Sequence, residues 1–237
     1  MKLFNFIVIA LCSNLSACTD MLANQNGVYA NIDDSSIARW GKSDMDEVIE
    51  VHQRAAMKNL KALMVKLYHR NPQGRHDAKL RTIEESVNLT FSRSNNYYPQ
   101  WEPIKATDIV RIALDESYQG SDRVLPLIVG LRKMIMASYE DHTEFFYLTS
   151  IDGQKLYNSA RNIEIAAWML AENRNVHGQL LLLSDSVQGE HRNLSYQRLI
   201  GQLIATQDNL ALIMANKSGR LLKNFVVTAA SMVFLPI

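Results

Sequence analysis

One apolar stripe constrains this chain more than any other feature in it. Ile49, Ala56, Leu60, Leu63 and Leu67 recur at steps of seven, four, three and four residues. That spacing keeps side chains on one face of an α-helix, whereas a strand would scatter them over both faces. Ser43 and Asp46 form a capping pair ahead of the stripe, and Asp44, Asp46, Glu47 and Glu50 load its start with the negative charge a helix N-terminus favours. Asn71-Pro72 stops the helix near Arg70, because the residue before a proline is pushed out of the helical region.

Similar periodicity runs through most of the remaining chain. Leu80, Ile83, Val87, Leu89 and Phe91 predict a second helix. Asn95, Asn96, Pro99 and Pro103 then mark a long loop that carries Tyr97, Tyr98 and Trp101. Thr107-Asp108 opens a short helix over 109–117. Ser121-Asp122 caps a longer one reaching about residue 148, with Pro126 and Gly130 placed to bend it. Asp152-Gly153 has two readings. It joins strands 145–150 and 154–157 as a hairpin, or it starts a helix. Leu156, Ala160, Ile163, Ala167 and Leu170 keep helical spacing through Asn173 and favour the helix, which Gly178 ends. Residues 180–183 form a short apolar run that suits a strand or a buried connection. Tyr196, Leu199, Ile200, Leu203, Ile204, Leu210 and Met214 make another amphipathic helix. At the C-terminus Leu222, Phe225, Val226, Ala229 and Val233 fit a core-packed helix. The uncharged stretch from Asn224 is too short to span a bilayer easily, although a membrane-dipping tail is the competing reading. The expected fold is all-α: a single irregular bundle of about six or seven helices over 44–237, following a flexible tether.

Residues 1–17 are an address. Lys2 precedes an apolar run over 3–12, which is far shorter than a permanent span and reads as a removable signal peptide. After the polar Ser13-Asn14 pair comes Leu15-Ser16-Ala17-Cys18. This tetrapeptide resembles the lipobox of bacterial lipoproteins, a resemblance confined to the N-terminal stretch. It implies cleavage by signal peptidase II before Cys18, whose thiol then carries diacylglycerol. Ordinary secretory cleavage after Ala17 or Ala23 is the alternative. Several acyl chains would make the anchor effectively permanent, where one holds only reversibly. Thr19 lacks the aspartate that favours inner-membrane retention in enterobacterial sorting, and Asp20 follows one position later. The resemblance therefore implies the periplasmic face of the outer membrane, with the inner membrane as the other destination. Residues 18–43 form the lipidated N-terminus and tether, rich in Asn, Asp and Ser.

Composition narrows the function classes. At 47% hydrophobic and 21% charged, with 10 Gly and 5 Pro in 237 residues, the chain is neither low-complexity nor mostly disordered. Lys and Arg number 25 against 24 acids, so no global field recruits nucleic acid. Cleavage before Cys18 removes Lys2 and Cys12. Basic and acidic side chains are then equal in number, and no thiol is left for catalysis or a disulfide. No Glu-x-x-His, His-Glu-x-x-His, Gly-x-Ser-x-Gly or Ser-x-x-Lys motif occurs, nor a phosphate-binding glycine loop. No cofactor or metal site is expected. Glu140, Asp141, His142 and Glu144 are the densest group of ligand types but read as a solvated polar face. His177 beside Gly178 reads as a helix C-terminal residue favoured by the dipole. Ser184, Asp185, Ser186 and His191 share a loop, as chance allows in a Ser-rich chain. Glu85-Ser86 and Glu116-Ser117 match the acid-bearing pair of helical lytic transglycosylases, without that family's other segments.

The strongest local signal is charge. Between His52 and Arg81 lie Arg54, Lys58, Lys61, Lys66, Arg70, Arg75, Lys79 and Arg81 against Asp77 alone. Arg54, Lys58 and Lys61 share one helical face. Arg54, Lys58, Lys61, Lys66, Arg70 and Arg75 are the candidate basic surface for an anionic envelope lipid or an acidic protein, unless they are simply solvated. The expected function is a non-enzymatic, membrane-anchored binding or adaptor module of the cell envelope. An envelope hydrolase acting on peptidoglycan or a related glycan is the alternative.

Overall fold

Among the described residues, six α-helices make up the body: α1 (Asp44–Arg70), α2 (Ile83–Ser92), α3 (Ala106–Ala113), α4 (Val124–Ser138), α5 (Gly153–Glu172) and α6 (Ser195–Ser218). Short 3-10 turns at Pro72–Gly74, Ser94–Asn96 and Pro99–Trp101 join the first three. The structure is a computed structural model that describes residues 42–146, 150–185, 190–191, 193–223 and 233–237. The expected signal peptide, Cys18 and nearly all of the expected tether lie outside the described residues, as does the expected helix over Phe225, Val226 and Ala229. Gly41–Ile237 forms one unit around one core, and among the described residues no strand is present. The expected all-α bundle is what the chain adopts.

The α1 stripe does what its spacing dictates. Ile49, Ala56, Leu60, Leu63 and Leu67 are all buried, joined by Met64 and Tyr68. Each large aliphatic side chain withdrawn from water contributes about 1.5–3 kcal/mol. Ser43 and Asp46 form a reciprocal capping box: the Ser43 N–H donates to Asp46 Oδ2 at 2.7 Å and the Asp46 N–H to Ser43 Oγ at 3.3 Å. Lys42 Nζ reaches Glu50 at 2.5 Å, so the last tether residues already belong to the body. α1 packs against α6, α4 and α2, while α5 packs against α6 and α3 against α4.

Several boundaries depart from the periodic reading. Leu80 is not part of a helix and is 78% exposed; α2 starts after Thr82, which caps it in a box with Glu85. Its buried side is Ser86, Val87 and Thr90, and Leu89 faces solvent. α3 ends at Ala113, four residues before the expected end. α4 ends at Ser138 rather than near 148, because Glu140 and Asp141 take left-handed φ values of 55° and 58°. Glu140, Asp141, His142 and Glu144 therefore sit in a turn and not on a helical face. α5 starts at Gly153 with the Asp152 carboxylate accepting from the Gln154 N–H at 2.9 Å, which replaces the second strand of the hairpin reading. It stops at Glu172, not Gly178. Asn173 closes it by donating its N–H to Met169 O. Gly178, at φ 74°, turns the short loop in which Arg174 pairs with Leu180, so His177 is not at a helix end. Residues 233–237 are non-helical and dock on α5. Leu235 exchanges two hydrogen bonds with the Asn162 side chain at 2.7 and 2.9 Å, and Val233 is exposed rather than core.

Glycine sets two helix crossings. A Cβ on Gly130 would lie 2.8 Å from Val110 Cγ2 and 2.9 Å from the Ala106 carbonyl oxygen, so α3 and α4 meet only because it is absent. Gly153 likewise lets the first turn of α5 touch the Ala211 carbonyl of α6.

Polar groups lock the centre. Gln207 of α6 is fully buried and donates to Ser138 Oγ of α4 at 3.0 Å and Ser159 Oγ of α5 at 2.9 Å. Its carbonyl accepts from the Tyr139 hydroxyl at 2.9 Å. Burial pushes the Tyr139 hydroxyl well above the usual tyrosine range, so it stays protonated and able to donate. Gln207→Leu keeps roughly the volume but strands the Tyr139 and Ser159 hydroxyls, while Ser138 keeps its bond to the Ile135 carbonyl. A loss of about 2 kcal/mol in urea unfolding is expected, at roughly 1 kcal/mol or more for each group. A loss below about 1 kcal/mol would show that the node is not a stabilising lock.

Candidate functional site

The basic run separates into two populations along α1 and the loop after it. Successive residues of a helix advance by about 100°, which places Lys58 and Lys61 within roughly 40° of Arg54, and Lys66 and Arg70 about 120–160° away. Arg54 and Lys58 are exposed and Lys61 is half-buried. Arg54 makes one long contact, 3.4 Å to Glu50, with its side chain 66% exposed. Among the described residues, no hydrogen bond or ion pair engages Lys58 or Lys61. The other members are internal fasteners. Lys66 Nζ donates to Ser195 Oγ at 3.1 Å, which ties α1 to the first turn of α6. Arg70 pairs with Glu190. The Arg75 side chain is only 8% exposed; it lies over the Tyr68 ring, donates to Ser86 Oγ at 3.1 Å and to Arg81 O at 2.6 Å, and faces Asp77 at 3.6 Å. The structure does not bring the six predicted residues together as one surface.

Two buried carboxylates organise the loop that follows α1. Asp77 accepts from Ser86 Oγ at 2.7 Å and pairs with Arg75 and Arg81. Asp122, ahead of α4, accepts from the Tyr68 hydroxyl at 3.0 Å, the Leu125 N–H at 3.0 Å and the His76 backbone N–H at 3.2 Å. The His76 ring meets the same carboxylate through Nδ1 at 2.6 Å. Burial, followed by the Asp122 charge, drives the Tyr68 hydroxyl far above its ordinary range and leaves it a permanent donor. An Asp–His contact of this kind orients the imidazole in hydrolases. Among the described residues, however, no hydroxyl or thiol bonds to His76, so the contact has the form of a clip between the loop and α4.

A cavity of about 410 Å³ lies beside the clip, lined by Arg70, Asn71, Gln73, Asp122, Arg123 and Leu182 among others. Its principal polar walls are already committed. Asn71 donates to the Leu67 and Leu183 carbonyls, each at 2.8 Å, and accepts from the Leu183 N–H at 2.9 Å. Arg123 donates to the carbonyls of Ala113, Asp115, Glu116 and Tyr118. A polar ligand would have to displace these bonds. A second cavity of about 1010 Å³ lies where α5 and the end of α6 meet Ser150, Asp152 and Leu222.

The acids singled out as catalytic candidates have other work. Glu85 is exposed and serves as a cap; the Thr82 N–H donating to it at 2.8 Å holds its carboxyl below the usual range, opposite to what a general acid needs. Glu116 is exposed and accepts from the Val176 N–H at 2.5 Å. Ser184 is buried, Asp185 is half-buried and accepts from Gln197 at 3.5 Å, and His191 is exposed; Ser186 lies outside the described residues. Sequence reasoning missed Glu164 and Asp208, whose carboxyls are raised chiefly by burial. Both contact the same Arg161 nitrogen, at 3.2 and 2.6 Å. The guanidinium bridges the two carboxylates, and neither cavity includes them. No group of metal-ligating side chains is present among the described residues. Compared with known proteins, the chain has no significant match to a family model, a curated protein or a solved structure.

The two populations of cations differ in what their removal does. Arg75→Ala leaves Asp77 without its buried cation, with only the more exposed Arg81 beside it, and is expected to cost about 3 kcal/mol, the usual result of breaking a buried pair. Lys58→Ala is expected to stay within about 0.5 kcal/mol, as for an exposed side chain without partners. Equal effects in paired urea titrations would contradict the division.

Proposed function

We propose that the protein is a lipid-anchored envelope protein whose helical body works as a non-enzymatic binding or adaptor module. The observation that carries this reading is Leu15-Ser16-Ala17-Cys18 behind a short apolar run with Lys2 at its head. Its proposed station is the periplasmic face of the outer membrane, and its proposed partners are anionic envelope lipid or an acidic protein. The body supports the binding role indirectly. Glu85, Asp122, Glu164 and Asp208 serve as a cap, a clip and arginine partners, and the polar walls of the 410 Å³ cavity are taken up by internal bonds. No described helix is long and apolar enough to cross a membrane, so attachment through Cys18 is the route this reading assigns.

Cys18→Ser removes the thiol that would receive the lipid. In envelope fractions, the wild-type chain is expected to partition into detergent. The variant is expected either to persist as uncleaved precursor or to appear as a soluble form. Unchanged detergent partitioning of a processed Cys18→Ser chain would defeat the anchor.

A further inference from the structure

We propose that the exposed face of α1 formed by Arg54, Lys58 and Lys61 rests directly on an anionic phospholipid surface and orients the anchored body on its membrane. This inference rests on the anchor reading above and adds to it a contact surface and a ligand chemistry, the headgroup phosphate. Three observations carry it. The face lies opposite the buried stripe of Ile49, Ala56, Leu60, Leu63 and Leu67, so it is available without unfolding anything. Its cations are the members of the basic run on α1 that no internal contact consumes, since Lys66 and Arg70 are bound within the body and Arg54 reaches Glu50 only at 3.4 Å. Its charge is of one sign beyond the first turns: Glu47 and Glu50 stand at the N-terminal end, and no acidic residue occurs from there to Asp77.

The face also has an apolar element at the same height. Val51 is 43% exposed and half-buried Val65 lies on the same side of the helix, so the surface combines ammonium and guanidinium groups with aliphatic contact. That combination fits the boundary between headgroups and acyl chains. Position favours a membrane over an acidic protein. α1 is the first described helix after the anchor segment, and Ser43 lies 25 positions beyond Cys18, a reach of about 80 Å when fully extended. Tethering keeps the face at high effective concentration near the bilayer, so a weak contact for each charge is sufficient. Each basic residue near an anionic surface contributes on the order of 1 kcal/mol, and exposed charges are screened beyond about 8 Å at physiological salt.

The test uses the mature chain with Cys18→Ser, so that binding by the face is read apart from the lipid. Flotation with phosphatidylglycerol vesicles at low salt is expected to carry the protein, and phosphatidylcholine vesicles are expected not to. Arg54→Glu, Lys58→Glu and Lys61→Glu together are expected to weaken the binding by about a hundredfold or more, a loss that shrinks as salt rises. The corresponding Gln triple variant is expected to lose less, and it covers the case in which charge reversal disturbs folding, as judged by circular dichroism. A control with the same net charge change, Lys105→Glu, Lys217→Glu and Arg220→Glu, is expected to bind phosphatidylglycerol nearly as wild type. Absence of wild-type binding, equal binding to phosphatidylcholine, or equal losses in the α1 and control variants would overturn the proposal. So would loss of an acidic protein partner by the α1 variant with its vesicle binding intact. Each of these outcomes leaves the anchor reading standing, because that reading is judged on Cys18 alone.

Discussion

Gln207 joins the parts of the body that sequence distance keeps apart. A single amide links α6 to Ser138 at the end of α4, to Tyr139 just beyond it and to Ser159 in α5. None of these groups meets water, so the hydrogen bonds lost on leaving it must be remade together. Apolar contacts alone would tolerate α6 sliding by a turn along its neighbours. The node removes that freedom, since a shift of one residue leaves a buried hydroxyl without its partner. Asn162 plays the same part for the C-terminus, holding Leu235 by both backbone groups.

Around that node the arginines split by role. Arg132 extends from α4 to the end of α2 and donates to the Thr90 and Phe91 carbonyls at 2.9 and 3.1 Å, groups that the last turn of a helix leaves unpaired. Arg123 does the same for the turn after α3. Arg75 is held by Asp77, Ser86 and the Tyr68 ring. Such positions turn positive charge inward, where it fastens loops to helix ends. What remains outward on α1 is a short row with little to neutralise it. On α1 the charge available for a partner is thus smaller than the run in the chain, and it lies on one face.

Legibility followed the locality of the forces. α1 was readable to its caps because Ser43, Asp46 and Asn71 act within a few residues of where they stand. α5 was readable through the spacing of Leu156, Ala160 and Ile163, whereas Asp152, which caps it, fitted a hairpin as well. The end of α4 was not. Glu140 and Asp141 adopt left-handed conformations without a glycine to announce them, and Gln53 of α1 holds the turn by donating to the His142 carbonyl at 2.6 Å. The apolar residues Leu80 and Leu89 mimicked a stripe that tertiary packing did not use. The basic run was visible as composition, but its division depends on partners more than a hundred residues away, Ser195 for Lys66 and Glu190 for Arg70. No spacing rule reports such pairings. The Glu164–Arg161–Asp208 group spans two helices and was invisible for the same reason.

A body locked at Gln207, with the outward cations of α1 gathered on one face, suits a protein that is held in place and offers a surface. That account stands or falls on what Cys18 carries. The most direct measurement is the intact mass of the wild-type mature chain extracted from envelopes, with fragmentation of its N-terminal peptide. The expected result is a chain beginning at Cys18 whose N-terminal residue bears diacylglycerol and fatty acyl mass. A chain that begins at another residue, or at an unmodified Cys18, would contradict it.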